Sequence, residues 1–349
     1  MRFLLLPIAF FHHIILSIRH KLYDWHLLKS KHFDVPVIGV GNLALGGTGK
    51  TPHVEYLADL LSEQYRVCIV SRGYGRKTKG FQLANTTCNA ETVGDEPVQY
   101  VGKFSDVMVA VDENRNRAIE LMETMDRPPE LYLLDDAFQH RSTQAGLNIL
   151  LTTYDKPYSK DFLFPMGTLR DVKSAAKRAD IIVISKTPDS LNDLDKAAII
   201  GKLKPLPQQK VFFSSLVHEP LKAVNMAAST IDPEEAESGL LFCGIARPKA
   251  LVEELRHRYR QVEVLTFADH HPYTENDIKR ILEKAGQLPG NKKIVITTEK
   301  DLARIINSPY LCQFDAVPLF AAPISIHIDE EEKFNEEILS YVRKNAHHG

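Results

Sequence analysis

The segment from residue 35 to residue 61 constrains the fold of this chain more than any other. It reads VPVIGVGNLALGGTGKTPHVEYLADLL, which is a short apolar run, a glycine-rich turn and then apolar residues at helical spacing. A strand, a glycine loop and a helix in this order bind phosphate, because backbone N–H groups and the helix N-terminus attract anions. Lys50 can reach the outer phosphates, and the Thr51 hydroxyl can ligate the magnesium ion of a nucleoside triphosphate. The segment predicts a P-loop, with a chance glycine turn as the alternative, although Ala44 occupies the first glycine position of G-x-x-x-x-G-K-[ST].

Two adjacent acids follow a second apolar run. Residues 131–141 read LYLLDDAFQHR, so that Asp135 and Asp136 stand at the end of a strand. A carboxylate in this position has the form of a Walker B element, which lies next to the magnesium ion of a P-loop protein. Adjacent acids repel each other unless a cation or solvent compensates, and this favours a metal site over a purely structural role.

Apolar runs alternate with helical or loop stretches through the rest of the chain. This rhythm is typical of an α/β fold in which a P-loop NTPase-like parallel sheet carries helices on both faces. We predict a P-loop domain over residues 32–210 and a second, smaller α/β domain over residues 211–349. The strand-like runs of the first are residues 67–70, 107–110, 131–134, 147–151 and 181–184. Those of the second are residues 211–215, 240–243, 262–265, 294–296 and 322–328.

The N-terminus is apolar and is followed by basic residues. Residues 3–18 read FLLLPIAFFHHIILSI, and Arg19, Lys21, Lys29 and Lys31 follow. This run is shorter than the roughly 20 apolar residues that a spanning helix needs. An apolar segment bordered by basic residues is typical of a helix that lies in or enters a membrane surface. We predict such a membrane-associated helix within residues 1–31, with a helix buried against the core as the alternative.

Charge and cysteine content bear on the class of protein. The net charge is −2, which argues against a dedicated nucleic-acid binder, because such proteins usually carry a strong basic excess. The four cysteines lie far apart and form no C-x-x-C pair. We therefore expect a reducing compartment, no disulfide framework and no zinc site.

Short motifs occur in a fixed order along the chain: GN-x-x-x-GGTGKTP, SRGYGR, GDEP, LDDAFQH, MGTLRD, GIARP and ADHH. In this combination the sequence resembles the tetraacyldisaccharide 4'-kinases of lipid A synthesis, from the apolar N-terminal segment to TTEKD at residues 297–301. The resemblance implies a membrane-associated enzyme at the cytoplasmic face of the bacterial inner membrane. It would use ATP and Mg²⁺ to phosphorylate the 4'-hydroxyl of a tetraacylated glucosamine disaccharide 1-phosphate, giving the lipid A precursor lipid IVA.

The resemblance also implies roles for individual residues. The expected catalytic residues are Asp95 of GDEP as the base, His270 of ADHH as its partner, and in addition Lys50 and Asp136. The residues expected to contact ATP are Leu45, Gly46, Gly47, Thr48, Gly49, Lys50, Thr51, Pro52 and Arg170. The residues expected near the metal are Thr51, Asp135 and Asp171. The family commonly has glutamate where Asp171 stands, so the reach of that side chain is one methylene shorter here.

Two other classes of protein share parts of this pattern. A membrane-associated P-loop switch ATPase would have the same phosphate and metal elements, but the deviant P-loop of partitioning ATPases has a lysine directly before the GG pair, where this chain has Leu45. A membrane-tethered nucleotide-binding scaffold without catalytic activity would also fit the N-terminus. It would give no reason for Asp95, Asp135 and Asp136 to gather near strand ends.

Overall fold

Two β-sheets organise the computed structural model, which describes residues 5–188 and 190–346. The strands, in chain order, are β1 (Val37–Asn42), β2 (Val67–Ser71), β3 (Gln82–Ala84), β4 (Met108–Val111), β5 (Leu131–Asp135), β6 (Leu147–Thr153), β7 (Ile181–Ser185), β8 (Lys210–His218), β9 (Lys222–Ala223), β10 (Ser238–Cys243), β11 (Gln261–Thr266), β12 (Lys293–Thr298), β13 (Leu319–Ala322) and β14 (Ile324–Ile328). The helices, in chain order, are α1 (Leu6–Asp24), α2 (Lys50–Ser62), α3 (Ala90–Val93), α4 (Asp95–Lys103), α5 (Arg115–Glu123), α6 (Asp193–Leu203), α7 (Met226–Ser229), α8 (Lys249–Arg258), α9 (Glu275–Gln287), α10 (Glu299–Ile305) and α11 (Glu331–Asn345).

The larger sheet has nine strands in the order β14-β8-β7-β6-β1-β5-β2-β4-β3. Its edge strands β14 and β3 run antiparallel to β8 and β4, and all other neighbours are parallel. β1 lies between β5 and β6, with Val40 opposite Asp135 of β5. The carboxyl ends of these parallel strands therefore meet at one edge, where α/β sheets bind their ligands.

Helices cover both faces of the larger sheet, as the sequence predicts. Along β1, Ile38 and Val40 face one core and Val37 faces the other, because successive side chains of a strand point to opposite sides. On the first face, α2 packs with apolar residues at positions 54, 57, 58 and 61, and α11 packs beside it. On the second face, α5 and α6 pack against separate parts of the sheet.

The smaller sheet has the order β11-β10-β12-β13-β9, and its only antiparallel pair among the described residues is β13 with β9. Adjacent residues of β10 again face opposite sides. Leu240 packs in the core with α9, whereas Leu241 packs in the core with α8. This unit is the second, smaller α/β layer structure that the sequence predicts.

The boundary predicted at residue 211 is wrong. The prediction places β8 and β14 in the smaller unit, but β8 pairs with β7 and with β14. Both strands therefore complete the larger sheet. α11 then packs on the larger sheet through Phe334, Ile338 and Val342. The smaller unit is consequently inserted between β8 and β14. An apolar strand pattern does not say which sheet the strand will join, and for this reason the sequence misplaced these segments.

The N-terminal helix α1 leaves most of its apolar side chains exposed. Only Ala9 and His20 are buried among its residues, and Leu16 packs partly against the core, so most of α1 is not buried as the alternative requires. The exposed apolar side chains are those of Leu6, Ile8, Phe10, Phe11, Ile15 and Ile18. No helix within residues 5–188 and 190–346 combines the length and the hydropathy needed to cross a bilayer. Residues 1–4 of the predicted segment lie outside the described residues.

Candidate functional site

The predicted P-loop connects β1 to α2 at the carboxyl edge of the larger sheet. Gly46, Gly47 and Gly49 have φ values of 61°, 67° and 84°, in the left-handed region that glycine adopts without steric cost. A methyl group at Gly46 or Gly47 would meet nothing within 4 Å, so the backbone conformation and not crowding requires glycine there. Lys50, Thr51 and Pro52 form the first turn of α2.

Polar contacts from neighbouring strands fix the P-loop. The Asn42 amide donates to Thr48 Oγ1 over 2.6 Å, and Ser185 Oγ donates to the Thr48 carbonyl over 2.8 Å. The buried His53 donates from Nδ1 to the Gly49 carbonyl at 2.6 Å, so its Nε2 accepts from Ser214 Oγ at 2.9 Å. Burial lowers the pKa of His53 to about 4, so this histidine is neutral at pH 7. The loop is thus held in place from β1, β7 and β8.

Asp135 is the last residue of β5, beside the P-loop, and its buried carboxylate lacks part of its hydrogen bonding. Its Oδ1 atom has no hydrogen-bond partner among the described residues. Burial, and after it the charge of Asp136, raises the pKa of Asp135. The Arg115 guanidinium donates to the Asp135 carbonyl at 2.7 Å and to the Asp136 carbonyl at 3.0 Å, which fixes the backbone after β5. A buried carboxylate oxygen without a partner is costly, and a bound cation would satisfy it.

Asp136 is paired much more completely. Arg170 donates to both of its carboxylate oxygens, with Nη1 at 2.7 Å from Oδ2, and the Lys50 ammonium lies 3.7 Å from Oδ1. Arg170 also donates to Asn42 Oδ1 at 2.6 Å. Burial alone would raise the pKa of Asp136, but the hydrogen bond from Arg170 and the charge of Lys50 outweigh it and lower the pKa to about 2. The structure therefore brings Lys50, Asp136 and Arg170 together next to the P-loop.

Asp95 is the first residue of α4 and lies where the two units meet. Its Oδ2 atom accepts from His270 Nδ1 at 2.9 Å and from Arg304 Nε and Nη2 at 3.1 and 2.9 Å. Both donors belong to the smaller unit. Burial alone would raise the pKa of Asp95, but the hydrogen bond from His270 and the charges of Lys300 and Arg304 hold it well below its usual range. Asp95 is consequently an ionised, almost fully buried carboxylate.

Two glycines place Asp95 against the loop that follows β2. Gly94 and Gly73 have φ values of 96° and 67°. A Cβ atom on Gly94 would lie 2.9 Å from the Gly73 Cα, so neither position has room for a side chain. Tyr74 then contacts the edge of the His270 ring, with centroids 5.3 Å apart. The motifs SRGYGR, GDEP and ADHH therefore form one site in space.

The comparisons with known proteins show the family of this chain. A family model described as LpxK, tetraacyldisaccharide-1-P 4'-kinase, matches residues 1–343. The chain belongs to this family. The tetraacyldisaccharide 4'-kinase of Flavobacterium johnsoniae is 43% identical over 348 residues, covering 99% of this chain and 98% of that protein. The Bacteroides fragilis enzyme is 41% identical over 354 residues, covering 99% and 94%.

A solved structure of an LpxK also matches over the whole fold. The crystal structure of Aquifex aeolicus LpxK in complex with ATP is 30% identical with a TM-score of 0.74, and the match covers 98% of this chain and 99% of that one. These findings confirm the prediction of a lipid A 4'-kinase, a phosphotransferase of α/β fold that uses ATP. They leave the roles of single residues to be argued from the site itself.

Asp171 is not gathered with the other acids of this LpxK site. Its Oδ1 pairs with His20 Nε2 of α1 at 2.6 Å and accepts from the Val172 N–H, while Oδ2 faces Arg178 at 3.5 Å. Within residues 5–188 and 190–346, no three ligand atoms that include Asp171 lie within 4.8 Å of one another. The metal role of Asp171 stays a prediction, and in the structure its side chain ties α1 to the core.

The contact of Leu45 with ATP also stays a prediction. Its backbone N–H donates to the Thr168 carbonyl at 2.7 Å, and its side chain is exposed. The backbone donors free to turn toward phosphates therefore begin after Leu45. Arg247 of the GIARP motif, for which the sequence offered no role, lines a cavity beside Gly46 and Gly47 from the smaller unit.

Sequence reasoning missed the cations around Asp95. Arg304 and Lys300 stand one helical turn apart on α10, directly after β12, and Arg304 pairs with Asp95 whereas Lys300 pairs with Glu96. Glu96 is half-buried beside them, and desolvation and the charge of Asp95 raise its pKa. The set formed by Asp95, Glu96 and His270 has ligand atoms within 4.8 Å. Protein cations already compensate it, so we assign no metal to it.

Proposed function

We propose that this LpxK-family chain transfers the γ-phosphate of ATP to the 4'-hydroxyl of a tetraacylated glucosamine disaccharide 1-phosphate at the cytoplasmic face of the bacterial inner membrane. The observation that carries the proposal is the ionised Asp95 carboxylate, which lies with His270 where the two units meet, in the same chain as the P-loop that leads into α2. Phosphoryl transfer needs mainly positioning and charge stabilisation, and these groups supply both.

The P-loop and the residues next to it would bind the phosphates of ATP. Gly46 through Thr51 would bind the phosphates of ATP through backbone donors and the N-terminus of α2. Lys50 lies close enough to Asp136 to be held in place until phosphate replaces that partner. Arg170, paired with Asp136, supplies a second cation at the same edge. The two cations offset charge on the transferring group.

The magnesium ion fits the donors of this site. Asp135 has a buried carboxylate oxygen without a hydrogen-bond partner, and Mg²⁺ prefers such oxygen ligands. Thr51, in the first turn of α2, would be the second protein ligand. When bound between these residues and the phosphates, the ion supplies charge neutralisation.

The acceptor end falls to Asp95 and His270. The Asp95 carboxylate is ionised at neutral pH, and it would accept the proton of the sugar 4'-hydroxyl on Oδ1. Oδ1 accepts from the Glu96 N–H at 3.1 Å and keeps a second lone pair for the hydroxyl group. His270 orients it through the Nδ1 hydrogen bond. Asp95 and His270 come from different units, so closure of the two units would control access of the substrate.

The α1 helix is the proposed contact with the membrane surface. Its exposed apolar side chains extend toward the similarly exposed Phe162 and Phe164, and His12 donates to the Phe164 carbonyl at 3.0 Å. A helix with an exposed apolar face near basic residues binds at a lipid interface. Its other end is fixed by the pairs between His20 and Asp171 and between Asp24 and Arg141. This arrangement supports a lipid substrate and offers no support for nucleic acid as a partner.

The first experiment measures transfer of the ATP γ-phosphate to tetraacyldisaccharide 1-phosphate in detergent micelles, with magnesium present or chelated. We expect a magnesium-dependent product phosphorylated at the 4'-position. ATP consumed without a lipid product would contradict the proposal and favour the switch ATPase. Absence of any turnover under both conditions would favour a scaffold.

A second experiment tests the membrane contact. Phe11 and Ile15 are one helical turn apart on α1, and each is 64% exposed. We expect Phe11→Asp with Ile15→Asp to abolish flotation of the protein with vesicles that contain anionic phospholipid. Met226→Asp is the control, because Met226 is 81% exposed on α7, which belongs to the smaller unit. Equal vesicle binding by both variants would contradict the role of α1.

A further inference from the structure

The second ring nitrogen of His270 has a partner of its own. Nε2 lies 3.2 Å from the Lys300 ammonium, while Nδ1 lies 2.9 Å from the Asp95 carboxylate. Asp95 belongs to α4 of the larger unit, and Lys300 belongs to α10 of the smaller unit. Both nitrogens of the imidazole ring therefore have a charged partner, a cation at Nε2 and an anion at Nδ1.

The chemistry of these partners leaves one arrangement for the ring. An ammonium group can only donate, so Nε2 must present its lone pair. An ionised carboxylate can only accept, so Nδ1 must carry the hydrogen. A ring rotated by 180° would place carbon atoms against both partners and would lose both hydrogen bonds. Lys300 and Asp95 together specify one tautomer and one orientation of His270.

We infer that Lys300 is a positioning residue of the kinase reaction, holding His270 in the tautomer and orientation that donate from Nδ1 to Asp95. This inference rests on the proposed role of Asp95 as the base. The Asp95 oxygen that faces the sugar hydroxyl would be set by this contact, because Oδ2 accepts from His270 and Arg304 whereas Oδ1 accepts only from the Glu96 N–H among the described residues. Correct placement of a base within fractions of an ångström is a large part of its effect.

The structure builds a rigid support for Lys300. Thr298 caps α10 by accepting from the Asp301 N–H at 3.1 Å, and its hydroxyl donates to the Asp301 carboxylate. Asp301 is fully buried and also accepts from the Gly244 N–H and the Tyr273 hydroxyl, both at 3.0 Å. The first turn of α10, which carries Lys300, is thus fixed to the interior of the smaller unit.

Helix stability does not explain a lysine at this position. The first turn of a helix favours acidic side chains, since the N-terminus carries partial positive charge. Lys300 is the second residue of α10, where its positive charge interacts unfavourably with the helix dipole. His270 itself has a φ of 56°, in the left-handed region that a non-glycine residue adopts only when its surroundings require it. Both features are accounted for if the contact between the two residues serves the reaction.

Other charged groups lie close to His270 and Lys300, and their effects must be distinguished from that of the contact between these two residues. Arg304 contacts Asp95 from the same helix, and Glu96 Oε1 lies 3.3 Å from the Lys300 ammonium. Tyr74 contacts the ring edge. A change at Lys300 could therefore act through Glu96 instead of His270. The two routes predict different coupling in a double-mutant cycle.

The test compares Lys300→Met with the wild type and repeats the comparison in His270→Ala, using ATP and tetraacyldisaccharide 1-phosphate in micelles. We expect Lys300→Met to lower kcat on the order of 10-fold with little change in KM for ATP, because a misplaced base affects the transition state and not nucleotide binding. In the His270→Ala background it should have no further effect. In a Glu96→Gln background its effect should persist. Lys300→Arg should recover part of the activity, and Lys279→Met, on the surface of α9, is the matched control.

A spectroscopic readout supports the kinetic one. In protein with ¹⁵N-labelled histidine, we expect His270 to show one neutral tautomer with hydrogen on Nδ1, and Lys300→Met to give a mixture of states. An effect of Lys300→Met that is equally large in His270→Ala would overturn the inference, as would an unchanged kcat with an unchanged His270 signal. If His270→Ala alone left turnover intact, the proposed pairing of His270 with Asp95 would fail as well, which distinguishes the two failures.

Discussion

Asp95 and Asp135 are both buried carboxylates at the edge of this site, but their surroundings differ. Around Asp95 the protein supplies the positive charge through Arg304 and Lys300 and a hydrogen bond from His270, so the carboxylate stays ionised. Around Asp135 one carboxylate oxygen has no partner among the described residues, and burial raises its pKa. Protein groups already compensate the charge of Asp95, whereas the Asp135 region is suited to receive a cation.

The largest expected effect comes from breaking the Asp95 region. Asp95→Asn should lower phosphate transfer by about 10²- to 10⁴-fold, because an amide cannot accept the proton of the hydroxyl group. ATP binding, measured by calorimetry, should be retained, since the P-loop is untouched. Asp59→Asn on the exposed side of α2 is the control. Turnover at the wild-type rate in Asp95→Asn would remove the base from the proposed mechanism.

Adding the cation tests the Asp135 region. With ATP and magnesium at about 100 times the dissociation constant, binding should raise the free energy of unfolding by roughly 2.7 kcal/mol. In Asp135→Asn we expect most of the gain that magnesium adds over ATP alone to disappear. Thermal unfolding with ATP, with and without magnesium, measures the difference. The same magnesium gain in Asp135→Asn and the wild type would show that Asp135 does not ligate the ion.

In the absence of ATP and magnesium, we expect Asp135→Asn to stabilise the protein. The folded-state pKa of Asp135 is raised, so the folded protein binds a proton more readily than the unfolded chain does, and stability falls as the pH rises above the ordinary pKa of aspartate. The buried negative charge therefore costs stability wherever the carboxylate is ionised, and an amide at this position carries no charge. Asp135→Asn should raise the free energy of unfolding by about 1 to 2 kcal/mol. Urea denaturation in the absence of nucleotide is the measurement, and a less stable variant would contradict this account.

The smallest expected effect is on the pH dependence of stability and concerns His53. Unlike Asp95 and Asp135, this buried group has only neutral hydrogen-bond partners among the described residues, Gly49 and Ser214. Its folded-state pKa is lowered to about 4 from 6.5, so the unfolded chain binds more protons between these values. Its contribution is complete above pH 6.5 and is lost as the pH falls toward 4. Between pH 7 and pH 5.5 the wild type should lose about 1 kcal/mol more than His53→Gln. An exposed substitution, His257→Gln, should leave the pH dependence of urea unfolding unchanged.

Local sequence patterns predicted the parts of the site that adjoin one strand. The strand, glycine loop and helix around Lys50 are present, and Asp135 ends its strand beside them. These features depend on residues close in sequence, whose backbone preferences act without help from the rest of the fold. Histidine 270, in contrast, was singled out only through the family resemblance, since the pattern around it is that of an ordinary surface loop.

The sequence by itself determined the α/β class, the P-loop and the acids after β5, because periodicity and glycine content act locally. Only the tertiary structure decided that β8 and β14 close the larger sheet, that Asp171 binds His20 and that Arg304 and Lys300 converge on Asp95 and His270. Asp95 and His270 are 175 residues apart in sequence. Contacts over such separations arise from how strands pair and units pack, and a charged side chain carries no local signal of the partner it will meet.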